Sequence, residues 1–546
     1  MRRPWLRSKP TRVVLRSGFS PRALTPTLYL MLKSCIPAVF LLFAPLTAVL
    51  AQSADFPLKP IYPDAVPVCS PEELKKVVIP NTTIESVAVD ERDGAVRVIA
   101  IVTHPPANDR VKVWIALPVK NWNGRFRGNG GGGFTTGNAD SLRGAVAQGF
   151  AAAATDGGHD GGSGSFALNA NGRLNWQEIR DFAYLGIHEM TVVGKALTRA
   201  FYGKAPRFSY FVGSSTGGRQ GLMEAQRYPA DYDGIYSGCP AINWASMVPS
   251  TLWPQVVMHD AKYFVSKEKL EAVTAAAIAA CDREDGVSDS VIDDPSRCVW
   301  DPKTFVGTTV GDSTFTDEDA SIVRRIWAGP TGHEGRFIWH GLSRGANLVA
   351  TAGTEGMPLR PKPFGIAVDW YRYFLTRSPG FDGTDVTAAE FELLVNQSVE
   401  LFGPVFSAND PDVSAFRDRG GKVLIMHGLT DQLIPHGGTI DYYERVQKQM
   451  GGAAQAAEFA RLFLVPGVDH GFRGPGAAPN MNRVILSLVE WVEERKAPDQ
   501  LLGEARDAAG KVIRTRPILP YPQTARYTGT GNPDDAQSFV SQTPVR

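Results

Sequence analysis

Short apolar runs alternate with helical stretches from about residue 60 to 240, and the same alternation returns after about residue 410. Val111–Leu117, Phe150–Ala154 and Phe208–Val212 read as strands, as do Val423–Met426 and Leu462–Val465. Phe182, Leu185, Ile187, Val192, Val193, Leu197 and Phe201 fall near helical spacing and predict a helix over 181–201. Residues 220–226 and 438–449 read as further helices. Strand–helix–strand alternation predicts a mostly parallel sheet with helices on both faces.

The texture changes between 241 and 410. This stretch holds Trp244, Trp253, Trp300, Trp327, Trp339 and Trp370, six of the eleven tryptophans, and few clean strand patterns. It reads as an inserted lid domain. The core is then split into 52–240 and 411–546, with the Pro- and Gly-rich tail from 501 wrapping back over the surface.

The first residues differ in kind. Residues 1–34 carry Arg2, Arg3, Arg7, Lys9, Arg12, Arg16, Arg22 and Lys33 and no acidic side chain. The apolar stretch Ile36–Ala51 follows and contains Pro45. A basic region, a short apolar region and small residues at the end describe a secretory signal over 1–51, with Met31 an alternative start. The stretch is short of the ~20 residues that a membrane span requires. The expected location is therefore secreted or periplasmic, with no membrane attachment after cleavage. With 57 basic against 56 acidic side chains, nothing in the charge calls for a nucleic-acid partner.

Cleavage after Ala51 would remove Cys35 and leave Cys69, Cys239, Cys281 and Cys298. Cys281 and Cys298 bracket an acidic loop and are expected to pair. Closing that loop is worth about 3 kcal/mol in the chain-entropy account.

Candidate chemistry sits where the strands end. Gly213-Ser214-Ser215-Thr216-Gly217 is a G-x-S-x-G pattern at a strand exit, with Ser215 at the tight turn that exposes a nucleophile. Two later strands end in turns carrying Asp431 and His470. The order Ser, Asp, His is that of an α/β-hydrolase, and side chains at the carboxyl edge of a parallel sheet converge on one crevice. His427 and His436 compete for the base role but precede or closely follow Asp431 rather than ending the order. The run Gly128-Asn129-Gly130-Gly131-Gly132-Gly133 follows a strand-like segment and is expected to supply an oxyanion donor from Gly131 or Gly132, the other coming from Thr216. The loop after Cys281 offers Asp282, Asp285 and Asp289, hard oxygen ligands suited to calcium though not in the EF-hand register. No Cys/His cluster has zinc spacing, and no organic cofactor is expected.

Ser215-Thr216-Gly217-Gly218-Arg219-Gln220, the glycine run, Thr155-Asp156-Gly157-Gly158-His159, the Cys281–Cys298 loop and Arg516-Pro517-Ile518-Leu519-Pro520-Tyr521-Pro522 together resemble the tannase and feruloyl esterase family. This family includes enzymes that hydrolyse mono(2-hydroxyethyl) terephthalate. The resemblance implies an α/β-hydrolase core and a lid closing over an aromatic acyl group. It also implies a calcium site built by Asp282, Asp285 and Asp289 with the carbonyls of Val287 and Val291. Trp370, Arg372 and Phe374 are the lid residues expected to meet the substrate. Where the family usually has a cysteine before the nucleophile and another after the catalytic histidine, this chain has Ser214 and Gly471. Leu519 and Ser541 likewise stand at tail positions that often bear cysteine. The expected function is an exported serine esterase of aromatic acids. The alternatives are a hydrolase of other acyl substrates and a calcium-stabilised binding protein on an inactive hydrolase scaffold.

Overall fold

The computed structural model describes residues 58–543, so the expected leader lies outside the described residues. Nine strands form the central sheet: β1 (Thr82–Asp90), β2 (Ala95–Val102), β3 (Val111–Pro118), β4 (Arg125–Asn129), β5 (Ala151–Thr155), β6 (Phe208–Ser214), β7 (Gly234–Gly238), β8 (Lys422–Gly428) and β9 (Ala460–Val465). They lie in the order β1-β2-β3-β5-β4-β6-β7-β8-β9. The run from β1 to β5 is paired antiparallel. From β5 to β9 every pairing is parallel.

Period-2 geometry turns the apolar runs into a two-faced core. Ala151, Ala153, Phe211, Val423 and Ile425 enter one hydrophobic cluster, with Ile187, Met190 and Leu197 of α1 (Gly186–Tyr202). Their neighbours Ala152, Ala154, Tyr210, Leu424 and Met426 enter the other, with Val484, Leu488 and Trp491 of helix Met481–Glu494. Helices therefore cover both faces. The helix expected over 181–201 begins instead with a wider π turn, Asp181–Leu185, before α1 starts. Gly186 lets that turn lie against backbone: a Cβ there would stand 2.9 Å from Asp181 O and 3.1 Å from Gly157 Cα.

Between β7 and β8 the chain adds helices and two-residue hairpins but no strand to the nine-stranded sheet. These helices pack on a separate aromatic cluster, in which Trp244, Trp370, Phe374, Phe402 and Phe406 meet Phe134 and Phe182 from the sheet part. The tail forms a hairpin, β10 (Leu501–Arg506) and β11 (Val512–Ile518), then runs beside β9, where the Tyr521 amide donates to Leu462 O at 2.8 Å. Among the described residues no helix is long and apolar enough to cross a membrane.

Candidate active site

β6 ends at Ser214 and α2 (Thr216–Arg227) begins two residues on, leaving Ser215 alone in the turn with φ 62° and ψ −121°. That backbone costs a non-glycine residue about 1–3 kcal/mol and is held by its surroundings. The Ser215 amide donates to Gly238 O at 2.8 Å, and its carbonyl accepts from Arg219 and Ala241. The flanking glycines are needed for close approach. A Cβ on Gly213 would lie 2.5 Å from the Gly217 backbone, and one on Gly217 would lie 3.0 Å from Gly131 O.

The turns after β8 and β9 bring Asp431 and His470 to the same edge. They are tied together: Leu429 N donates to Val465 O and Thr430 N to Val468 O, at 2.9 and 3.1 Å. Gly428 permits this, since a Cβ there would stand 2.2 Å from Val468 O. His470 Nε2 lies 3.0 Å from Ser215 Oγ, and His470 Nδ1 lies 2.8 Å from Asp431 Oδ2. Gln432, which the sequence reading did not single out, accepts from the His470 amide at 3.0 Å. Asp469 Oδ1 closes the same turn by accepting from the Gly471 and Arg473 amides. At Ser214 and Gly471 the cysteines of the resembling family are absent, so these hydrogen bonds hold the histidine without a covalent link.

Asp431 is buried. Burial would raise its carboxyl, but hydrogen bonds from His427 and His470 outweigh that and hold it well below the usual carboxylate range. Its Oδ1 accepts from the Leu433 and Ile434 amides at 2.9 and 2.8 Å. Burial alone would lower the His470 imidazole; the bond and charge of Asp431 overcome this and raise it.

The rival histidines do not contact the serine. His427 is fully buried, its Nε2 lying 3.2 Å from Asp431 Oδ2 and 2.9 Å from Ile434 O, its Nδ1 2.9 Å from Thr439 Oγ1. The spacing of four between His427 and Asp431 was the available signal for this contact. His436 stands beside His427, ring centroids 6.4 Å apart, and burial lowers it to about 3.

Two oxyanion expectations are refined. The Gly131 amide already donates to Gln220 Oε1 at 3.2 Å and its carbonyl accepts from Gly217 N at 2.9 Å, so Gly131 is a tie between loop and helix rather than a free donor. The Gly132 amide donates to Thr135 O at 3.0 Å. Thr216 opens α2, where an N–H has no intrahelical acceptor, and its hydroxyl pins the loop by donating to Gly133 O at 2.6 Å.

The expected substrate contacts are corrected. Trp370 and Phe374 are 0% and 1% exposed and stack on each other at 4.2 Å, with Trp370 Nε1 donating to Ser398 Oγ. Arg372 is committed to Phe381 O and Asp369. Trp370 and Phe374 belong to the interior of the insertion, and Arg372 is a partly exposed side chain tied to its own neighbours. A partly buried insertion residue against the glycine loop is Ile366, whose Cδ1 lies 3.1 Å from where a Cβ on Gly133 would stand.

Cys281 and Cys298 are joined as expected, while Cys69 and Cys239 are free. Asp282 shapes the loop between them, accepting from the Asp289 and Val291 amides and the Ser288 hydroxyl. Asp289 is paired with Arg516 at 2.6 Å and Arg514 at 3.2 Å. The unanticipated member is Asp293. Burial first, then the Asp285 carboxyl, push it well up, and burial raises Asp285 as well. Among the described residues, three groups, each with its ligand atoms within 4.8 Å of one another, could offer metal ligands, and none of them includes the loop aspartates: Cys239/His427/Asp431, His104/Asp109/Asp181 and His188/Glu224/Asp231.

Residues 95–542 match the family described as tannase and feruloyl esterase. A probable feruloyl esterase of Arthroderma benhamiae is 40% identical over 476 residues, covering 84% of this chain and 86% of its own. The mono(2-hydroxyethyl) terephthalate hydrolase of Piscinibacter sakaiensis is 31% identical over 511 residues, covering 80% and 82%. The crystal structure of feruloyl esterase B from Aspergillus oryzae superposes with a TM-score of 0.75 at 27% identity, covering 86% of this chain and 98% of that one. A match over most of the chain, joined to a serine turn, an acid and a histidine meeting at one sheet edge, makes this chain a carboxylic ester hydrolase belonging to the tannase and feruloyl esterase family.

Proposed function

We propose that the chain hydrolyses esters of aromatic carboxylic acids through an acyl-Ser215 intermediate. The observation that carries the chemistry is the continuous line Ser215 Oγ, His470 Nε2, His470 Nδ1, Asp431 Oδ2, with gaps of 3.0 and 2.8 Å. His470 takes the Ser215 proton as Oγ bonds to the ester carbonyl, and returns it to the leaving alcohol. A water, deprotonated in turn by His470, attacks the acyl carbonyl; the bond to Ser215 Oγ breaks, His470 returns the proton to that oxygen, and the acid is released. Asp431 keeps the imidazole oriented and stabilises its charged form. Thr216 N–H supplies one oxyanion bond; Gly132 N–H supplies the second by exchanging the Thr135 carbonyl for the substrate oxygen.

The aromatic acyl class is supported by the named substrates of the relatives, feruloyl and terephthaloyl esters. Galloyl and hydroxybenzoyl esters belong to the same class. A panel of these four esters, read by chromatography, identifies the acid. Turnover of aliphatic esters alone would refute the aromatic assignment. Ser215→Ala should abolish p-nitrophenyl acetate turnover, and equal rates in the two proteins would return the chain to a binding role.

Calcium fits the loop after Cys281. Asp285 and Asp293 adjoin one another with Asp289 nearby, all hard oxygen donors; Arg514 and Arg516 pair with Asp289, and the Arg516 charge also acts on Asp293. Asp282 and the Val287 and Val291 carbonyls complete the proposed set. The ion would stabilise the loop and take no part in the ester chemistry. Export to the periplasm or exterior is supported by the basic and apolar leader and by the disulfide.

A further inference from the structure

A cavity of about 500 Å³ has Gly130, Gly131 and Ser214 in its wall. Its volume is in the range that holds small molecules. One side carries Arg127. Its Nε donates to Asn129 Oδ1 at 2.8 Å and its Nη1 to Gln148 Oε1 at 2.9 Å. Both acceptors are neutral amides. No carboxylate pairs with this guanidinium among the described residues, and burial lowers it to about 10 with no opposing charge. Gln148 Nε2 in turn donates to Asn482 Oδ1 at 2.8 Å, and among the described residues the Asn482 amide nitrogen has no acceptor. The lining also includes the apolar side chains of Phe472, Met481 and Ile485.

A fixed cation without a counter-charge and an amide donor, in a cavity also lined by apolar side chains, are complementary to an amphipathic anion. We propose that this cavity binds a small aromatic carboxylate, with Arg127 Nη2 and Asn482 Nδ2 on the carboxylate and the ring against Phe472, Met481 and Ile485. On the esterase reading, that ligand class is the acid the reaction releases. The site would then sense product beside the loop that carries Ser215.

The test is thermal unfolding of the full mature chain with benzoate as probe, and acetate at equal concentration as the charge-only control. At a hundredfold excess over Kd, benzoate should raise Tm by about 2–3 °C. Acetate should not, and Arg127→Gln should remove the benzoate shift. Asn482→Asp puts a fixed carboxylate opposite Arg127 and should remove it too, which covers a failure of the first variant to fold. Both variants should keep wild-type p-nitrophenyl acetate turnover. A benzoate shift that persists in both variants places the ligand elsewhere and overturns the proposal, as does no shift in the wild type. Unfolding does not depend on turnover, so an inactive wild type that still shows the Arg127-dependent shift would sink the esterase reading and leave the site standing.

Discussion

His427→Leu isolates the contribution of a buried donor that never touches substrate. The leucine fills a similar volume but cannot donate to Asp431 Oδ2, 3.2 Å away, or to Ile434 O. A hydrogen bond to a charged group is worth about 1.5–3 kcal/mol, and about 1.36 kcal/mol is tenfold in rate. If the carboxylate loses this support when the imidazolium forms, kcat should fall roughly 10- to 150-fold. KM should hardly move, because His427 is 0% exposed. His427→Gln keeps a neutral donor of similar reach and should recover most of kcat. Steady-state kinetics on p-nitrophenyl acetate decide the matter, with Tm recorded for each variant. A folded leucine variant with wild-type kcat would show that Asp431 needs no help from this side. A loss in which Gln and Leu fall equally would assign His427 to packing alone.

Activity needs neutral His470, whose folded value is raised above 6.5, so the acid limb of the kcat/KM profile should have its midpoint above that figure. A midpoint below it would contradict the Asp431 contact. Chelator should lower Tm, and Asp285→Ala should both lower Tm and remove the chelator response; a melt insensitive to chelator ends the calcium assignment. His104 lies 2.5 Å from both Asp109 and Glu189; burial would lower its imidazole, but these bonds raise it, while burial raises the adjacent Asp181 to about 7. Both groups hold more protons folded than unfolded: the stability from Asp181 is full below the ordinary carboxylate value and is lost as pH rises toward about 7, and that from His104 is full below 6.5 and is lost as pH rises through its raised folded value, so above 6.5 the loss is mainly that of His104. Tm should therefore fall from pH 6.5 upward, and His104→Gln should flatten that slope; parallel slopes would refute the linkage.

The parallel centre of the sheet was legible because its strands are buried on both faces and read as apolar runs ending at glycine or a polar turn. β4 was legible only as a strand-like segment of no stated bounds before the glycine run, since Arg125-Phe126-Arg127-Gly128-Asn129 is polar by sequence. It is a strand because Arg125 finds Glu493 at 2.5 Å and Arg127 finds two amides. β1 was hidden by its half-exposed alternation, and β7 by its brevity between glycines. The serine, acid and histidine were legible from where their strands stop. Trp370 and Phe374 were misread because aromatic residues four apart look the same whether they line a pocket or fill a core. Asp293 was missed because only folding brings it against Asp285.

Arg514 and Arg516 grip Asp289 across more than two hundred residues of chain. The counter-charges of the acidic loop are thus encoded almost at the end of the message. A nascent chain stopped before them has its disulfide cysteines and its nucleophile but a loop whose carboxylates repel one another. The same holds for a molecule clipped within the tail by a protease. The C-terminal thirty-odd residues therefore act as a completion seal: the insertion reaches its final charge balance only in a full-length, uncut polypeptide.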